Sequence, residues 1–398
     1  MAQFIHHDLK LLNPSFTSPL LDVLTDLEHL RRLQMRGSTP LPVFLQLKQV
    51  FHLLESLASA RIEGNHTTLA DYVEAKVTAA GTASEQLKEI DNIDAAMSEV
   101  ERAVQPAEPL GAHLLRGLHA TTVDGLVREG DRTPGAYRSG PVQIGQAEHL
   151  PPEAIQVPSY MDELIAFINR ADPPKYDLMK VALAHHRFAW VHPFSNGNGR
   201  VVRLLTYALL IKYGFQVNAV GRLLNPAAVF CADRERYYAM LAEADRGTAE
   251  ALENWCIYVL AGIRDELKKV DRLADYAYLS AQVLLPAISW ARQRQWVTTQ
   301  EEAVLTATVK AGIVKAGDLE AALKGLNINQ RSYQVRKLVS SGMLQPVKPG
   351  ARQYTIGFMH NLLLRGVIRA LTHEGFVSAA LADPVAPASP TPQAAKTE

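Results

Sequence analysis

Apolar residues recur every three or four positions through most of this chain, the spacing of helices that bury one face. Phe44, Leu47, Val50, Leu53, Leu54 and Leu57 form one stripe. Leu178, Val181, Ala182, Ala184, Phe188 and Ala189 form a second, and Val201, Leu204, Leu205, Ala208, Leu209 and Ile211 a third. Between the last two lies a run of glycines and amides, so the pattern predicts helix, loop, helix, with the second helix opening at Gly197-Asn198-Gly199-Arg200. From about 15 to 105, helical stripes alternate with breaks such as Arg36-Gly37-Ser38-Thr39-Pro40. The period fails at 135–145, where glycines and a short alternating run predict a small β-hairpin. Near the C-terminus, 298–311, 315–324 and 329–342 predict three helices, followed by a turn at Pro349-Gly350-Ala351-Arg352 and a strand over Gln353-Tyr354-Thr355-Ile356. The Pro/Ala-rich end after Ala382 predicts a disordered tail.

Composition narrows the class only modestly. A chain of 398 residues is long enough for two or three domains. Forty-one basic residues balance 41 acidic ones, leaving no global electrostatic footprint for nucleic acid or membrane. Two cysteines, Cys231 and Cys256, give no disulfide framework and suit a reducing cytosol. Neither a signal peptide nor an apolar run of membrane-spanning length is expected, so the protein reads as soluble and cytoplasmic.

The chemistry concentrates at 192–203. A helix N-terminus leaves backbone N–H groups unpartnered and carries a partial positive charge, and glycines at Gly197 and Gly199 let the backbone curl close to a ligand. Arg200 and Arg203 add guanidinium forks suited to phosphate oxygens. His192 is the group there that exchanges a proton near neutrality. A base beside a polyphosphate cradle points to attack on phosphorus.

The run His192-Pro193-Phe194-Ser195-Asn196-Gly197-Asn198-Gly199-Arg200-Val201-Val202-Arg203 resembles the signature of the Fic family, His-Pro-Phe-x-Asp/Glu-Gly-Asn-Gly-Arg-x-x-Arg. The resemblance implies a nucleotidyltransferase that moves AMP from ATP, with Mg²⁺, onto a Ser, Thr or Tyr hydroxyl of a target protein or of itself. It implies His192 as general base and Gly197, Asn198 and Gly199 as the anion hole. Arg200 and Arg203 would hold the β- and γ-phosphates, Phe194 would anchor the loop, and Val201 and Val202 would border the nucleotide. Asn196 departs from the pattern: it stands where a metal-binding carboxylate is usual, and a neutral amide holds Mg²⁺ more weakly.

Upstream, Ser59-Ala60-Arg61-Ile62-Glu63-Gly64-Asn65 closes a helix, with Ser59 and Glu63 on one face. Thr68 and Asp71 form a capping pair for the next helix. This run resembles the family's inhibitory helix, which implies that Glu63 pairs with Arg203 and excludes the γ-phosphate, or positions water for AMP removal. The hairpin resembles the family's target-docking flap, implying Ile144, Gly145 and Gln146 as docking positions. Tyr237 resembles the nucleoside-pocket tyrosine, and His186 reads as structural. Three helices and a hairpin resemble a winged helix-turn-helix, whose third helix carries Arg331, Arg336 and Lys337, with Lys348 and Arg352 near the wing. DNA contact there is open but less favoured than protein interaction, and a homodimer is left open.

The sequence thus predicts a mainly α protein: an N-terminal helical region with the inhibitory motif (1–108), a Fic-type core with a β-hairpin flap (109–285), a winged helix-like unit (286–372) and the tail (373–398). The alternative reading is a regulatory DNA-binding or interaction protein whose Fic core is degenerate.

Overall fold

The computed structural model describes residues 4–32, 37–78, 84–145, 147–215, 226–359, 361–377 and 381. Among the described residues, eleven α-helices precede the C-terminal unit: α1 (Pro19–Arg32), α2 (Leu41–Ile62), α3 (Leu69–Thr78), α4 (Glu85–Ala103), α5 (Ala112–Val123), α6 (Val157–Asn169), α7 (Asp177–Val191), α8 (Asn198–Lys212), α9 (Ala227–Ala232), α10 (Arg234–Ala244) and α11 (Ala249–Asp271).

The stripes read on α7 and α8 understate their burial. Apart from Gly199 every residue of α8 is buried, and it packs against α7, α4, α5 and α2. A helix enclosed on all sides is a central element, and its polar groups need partners inside the protein. Thr206 donates to the Val202 carbonyl at 2.9 Å and meets His185 Nδ1 at 2.7 Å; Tyr207 donates to Glu101 Oε1 at 2.5 Å. The core thereby fixes the helix that carries both motif arginines.

Helix α2 crosses the molecule from the C-terminal unit to that core. At its start, buried Gln46 donates to the Ile356 carbonyl at 2.9 Å and accepts from the Phe358 N–H at 2.8 Å. At its end, Gly64 takes φ 97, a left-handed turn that a side chain would resist. The capping pair expected for α3 forms: the Asp71 N–H donates to Thr68 Oγ1 at 3.1 Å, and the Thr68 N–H to Asp71 Oδ2 at 3.3 Å.

Beyond α11, α12 (Tyr276–Leu279) runs through a π-helical turn, Ser280–Leu284, into α13 (Leu285–Gln293). Then follow α14 (Thr299–Ala311), β1 (Val314–Lys315), α15 (Ile328–Ser340), β2 (Leu344–Pro346), β3 (Gln353–Ile356) and α16 (Leu363–His373). The sheet is antiparallel in the order β1-β3-β2, with Val314 opposite Tyr354 and Gln345 opposite Thr355. The expected strand at 353–356 is β3. The helix expected at 315–324 is instead two 3₁₀ turns, Ala316–Leu319 and Ala321–Leu323. Bounded by Gly317 and Gly325, the segment is too short and glycine-interrupted to hold an α-helix.

The hairpin expected at 135–145 is not a strand pair. Those residues run as turns and bends and, over 141–144, without assigned secondary structure, closed by a turn in which the Ala147 N–H donates to the Ile144 carbonyl at 2.8 Å. The cross-strand partner is missing because Arg138 turns its own N–H onto Pro193 O at 2.9 Å, bonding this segment to the motif loop. The tail expected at 373–398 begins later: His373 ends the last helix, and Phe376, Val377 and Leu381 are buried in the core, whereas Gln146 and residues from 382 lie outside the described residues.

Candidate active site

The loop between α7 and α8 is a self-closed unit. The Phe194 N–H donates to Asn198 Oδ1 at 2.9 Å while Asn198 Nδ2 donates to the Phe194 carbonyl at 2.8 Å. Phe194 is fully buried, and its ring stacks on His119 with centroids 3.8 Å apart and planes within 2°. His119 Nδ1 accepts the Gly135 N–H at 2.9 Å, so Nε2 carries the hydrogen given to Asn196 O at 3.1 Å. Burial outweighs the pull of Asp131 and lowers the His119 pKa to about 4, keeping this brace neutral.

The start of α8 forms the anion seat. No side chain caps it, and the N–H groups of Asn198, Gly199 and Arg200 have no partner among the described residues. Arg200 Nε and Arg203 Nη1 are buried without a hydrogen-bond acceptor, while Arg200 Nη1 is paired with the Glu89 carboxylate at 3.0 Å. Orphaned buried donors around a helix N-terminus call for an oxyanion. An internal one is already near: a Cβ on Gly199 would stand 2.1 Å from Glu63 Oε1 and 3.2 Å from Arg203 Nη1. Glycine at 199 is what admits a carboxylate, or a phosphate, so close to the backbone.

Glu63, the residue just past α2, accepts from Arg203 Nη2 at 2.7 Å; the same nitrogen donates to Ser59 O at 2.9 Å, and Nε to Ser59 Oγ at 2.8 Å. Burial opposes ionisation of Glu63, but the charge and hydrogen bond of Arg203, with Arg200 and Arg234 beyond, hold its carboxyl below the usual range. Ser59, Glu63 and Arg203 therefore meet, the contact that the resemblance implied.

His192 caps α7 in the left-handed region, φ 49 and ψ 62. Its Nδ1 lies 3.3 Å from the Ala189 carbonyl, which can only accept, so Nδ1 bears the hydrogen and Nε2 the lone pair. Burial, with smaller contributions from Arg138 and His149, lowers its pKa to about 4 against the opposing Ala189 carbonyl and Glu63. At neutral pH it is an uncharged base.

Several site residues had no sequence signal. Buried Glu89 on α4 faces Arg200 Nη1 at 3.0 Å, and Arg200 Nη2 also donates to Glu129 O at 2.7 Å. Asn65, two residues past Glu63, donates to Glu89 Oε2 at 2.8 Å, linking the two carboxylates. Glu89 and His119 occupy ordinary positions on amphipathic helices; only packing against the motif gives them a role.

Other expected residues sit less directly. Val201 and Val202 turn their side chains into the core and border the cradle through backbone alone. Tyr237 is 2% exposed and its hydroxyl bonds His185 Nε2 at 2.8 Å, whereas Tyr238 is 42% exposed and its hydroxyl lies 3.4 Å from Ile62 O. Tyr237 thus faces the core, and the exposed Tyr238 ring carries the Arg234 guanidinium 5.3 Å from its centroid. His186 is structural as expected, bonded to Asp245 at 2.9 Å. Gly145 is exposed, and a Cβ there would meet nothing within 4 Å.

The donors at position 196 do not fit a resident Mg²⁺. Asn196 Oδ1 accepts the Gly197 N–H at 2.7 Å and Nδ2 reaches Gly130 O at 3.3 Å. The neighbouring carboxylate, Asp131, is engaged by Thr133, Asn196 N–H and His119. Among the described residues no group of three or more His, Cys, Asp or Glu side chains could hold a metal ion.

Fold and site together define a helical domain built around an anion-binding helix start with an adjacent base. Residues 109–210 match the family model described as Fic/DOC family. Protein adenylyltransferase Fic of Nematostella vectensis is 26% identical over 271 residues, 67% of this chain and 57% of that protein. A probable protein adenylyltransferase of Aquifex aeolicus is 31% identical over 126 residues, 31% of this chain and 35% of its own length. This chain thus spans little more than half of the first relative and about a third of the second. The crystal structure of a Fic family protein from Desulfovibrio desulfuricans G20 shares the fold, with a TM-score of 0.51 at 23% identity, over 86% of this chain and 98% of that one.

Proposed function

We propose that this protein transfers AMP from ATP to a hydroxyl side chain of a target protein, and that Glu63 holds the transfer off. The observation that carries the reading is the Glu63 carboxylate lying over Gly199 and bonded to Arg203 Nη2 at 2.7 Å, beside a neutral His192. In the transfer, Nε2 of His192 takes the proton of the target hydroxyl as its oxygen bonds the α-phosphorus. The bond from that phosphorus to the bridging oxygen breaks, and pyrophosphate leaves. The free N–H groups at Gly199 and Arg200 and the two guanidinium groups stabilise the phosphate charge. A γ-phosphate and Glu63 cannot share Arg203 without repulsion, so Glu63 must move first. Residues 141–144, which have no strand partner among the described residues, would dock a target segment by strand addition.

The order β1-β3-β2 behind α14 and α15 supports a winged-helix reading of the C-terminal unit. Its third helix is poorly equipped for duplex DNA: Arg331 pairs with Glu320, and Lys337 with Glu301 at 2.7 Å, leaving Arg336. A protein-contact role fits better. No helix among the described residues is long and apolar enough to cross a membrane, and both cysteines are buried.

Incubation with labelled ATP tests the reading. Labelling that rises in Glu63→Gly and disappears when His192→Ala is added supports it. Absence of labelling in Glu63→Gly overturns it, and loss of a pre-attached AMP through Glu63 would assign the reverse reaction instead.

A further inference from the structure

We propose that Arg138 is the positioning residue for His192, locking the base in its left-handed seat and fixing the docking segment to it; this rests on the transfer reading above. Arg138 is 3% exposed and has no carboxylate within ion-pair distance among the described residues. An unpaired buried guanidinium is costly unless its donors are fully used. Here they are used on carbonyl oxygens: Nε to His192 at 2.8 Å, Nη1 to Gly140 at 3.0 Å, and Nη2 to Pro152 at 2.5 Å and Val191 at 3.4 Å. Its backbone N–H adds Pro193 at 2.9 Å.

The choice of acceptors is informative. Val191 and His192 supply carbonyls at the end of α7, where no helical N–H remains to meet them and the helix dipole is negative. A cation there holds the peptide on either side of His192, a non-glycine residue in a region that side chains disfavour. Gly140 immediately precedes the segment 141–144, and Pro152 follows it by eight residues. One guanidinium therefore sets the distance between the base and the backbone that would present the target hydroxyl. The arrangement also places a positive charge near the imidazole. Burial is the larger cause of the low His192 pKa, Arg138 and His149 add to it, and Glu63 and the Ala189 carbonyl oppose it.

Geometry and charge can be separated in the Glu63→Gly parent. Arg138→Lys keeps the charge but cannot span four carbonyls; Arg138→Gln loses both. Three readouts are taken: ADP affinity, kcat and KM for transfer to a protein acceptor, and the His192 titration by NMR of labelled histidine, assigned by its absence in His192→Gln. Both variants should bind ADP within about twofold of the parent and lose kcat, Gln on the order of a hundredfold. The His192 midpoint should stay near the parent's in Lys and move upward in Gln, because a positive charge is gone. Unchanged kcat and unchanged titration in both variants would overturn the proposal. So would loss of ADP binding in step with kcat, which would make Arg138 a general structural residue. The titration needs no turnover: if the Glu63→Gly parent transfers nothing, the transfer reading has failed, and an unshifted midpoint in Gln still counts separately against Arg138.

Discussion

Arg200 and Arg203 lie three residues apart on one helix, each facing an internal carboxylate, yet the two pairs are built for different purposes. Glu89 sits within α4 with 3% of its side chain exposed, and its partner Arg200 has 1% exposed. Glu63 lies just past the end of α2, ahead of a glycine turn, and 27% of its side chain reaches solvent. A carboxylate on a helix end can leave by local rearrangement, whereas one inside a packed helix cannot leave without unpacking the core. One arginine is therefore permanently neutralised and the other releasably so. On the proposed reading, regulation would act through the Glu63–Arg203 pair.

Breaking the two pairs should give opposite results. Glu89→Ala leaves a buried guanidinium without its counter-ion, and such changes cost about 3–5 kcal/mol. Chemical denaturation should show that loss, with no gain in AMP transfer. Glu63→Gly should lower stability by no more than about 1 kcal/mol, the scale of partly exposed pairs. It should raise transfer at least about tenfold, equivalent to 1.4 kcal/mol of competition removed from the phosphate seat. If Glu89→Ala stays folded and activates like Glu63→Gly, both carboxylates are latches and the contrast collapses.

The contrast was only half legible in the sequence. His192 through Arg203 could be read because a loop and a helix start are local: residue type and spacing alone determine which groups converge. Glu63 could be read through its resemblance, although 140 positions separate it from Arg203. Glu89, Asn65, His119 and Arg138 could not. Each is an ordinary polar residue in its own segment, and its role comes from burial against α8 or the motif loop. The same limit produced the hairpin at 135–145. Alternation suggested strands, but the Arg138 N–H bonds Pro193 instead of a facing strand. For Tyr237 and Tyr238, adjacent on one helix, spacing gave no way to tell the core-facing ring from the exposed one.

A gentler perturbation sharpens the contrast without any mutation. Burial raises the Glu89 pKa despite Arg200 and Asn65, whereas Arg203 carries Glu63 the other way. The two should titrate on opposite sides of the ordinary glutamate value of 4.5. For Glu89 the folded state binds more protons than the unfolded one, so acidification through its midpoint adds stability. For Glu63 the folded state binds fewer, and its contribution is lost only as pH falls through its own lower midpoint. Mild acid should therefore protonate Glu89 first and leave the latch shut. Carbon-detected NMR of the two carboxyl groups checks the order, and a Glu63 midpoint above that of Glu89 would reverse the assignment.

The smallest expected effect comes from Ser59, and it separates latch from arginine. Ser59 touches Arg203 through Oγ to Nε and through its carbonyl to Nη2, while Glu63 takes the remaining bond on Nη2. The Oγ contact lies on the Nε edge of the guanidinium, so it can persist whether the other edge faces Glu63 or a phosphate. An interaction present in both states cancels from their ratio. Ser59→Ala should then cost about 1 kcal/mol of stability, because a buried donor loses its acceptor. Labelling from ATP should stay within about threefold of wild type. A rise of tenfold or more would mean that Ser59 acts with Glu63 to close the site, and that the latch extends a full helical turn back into α2.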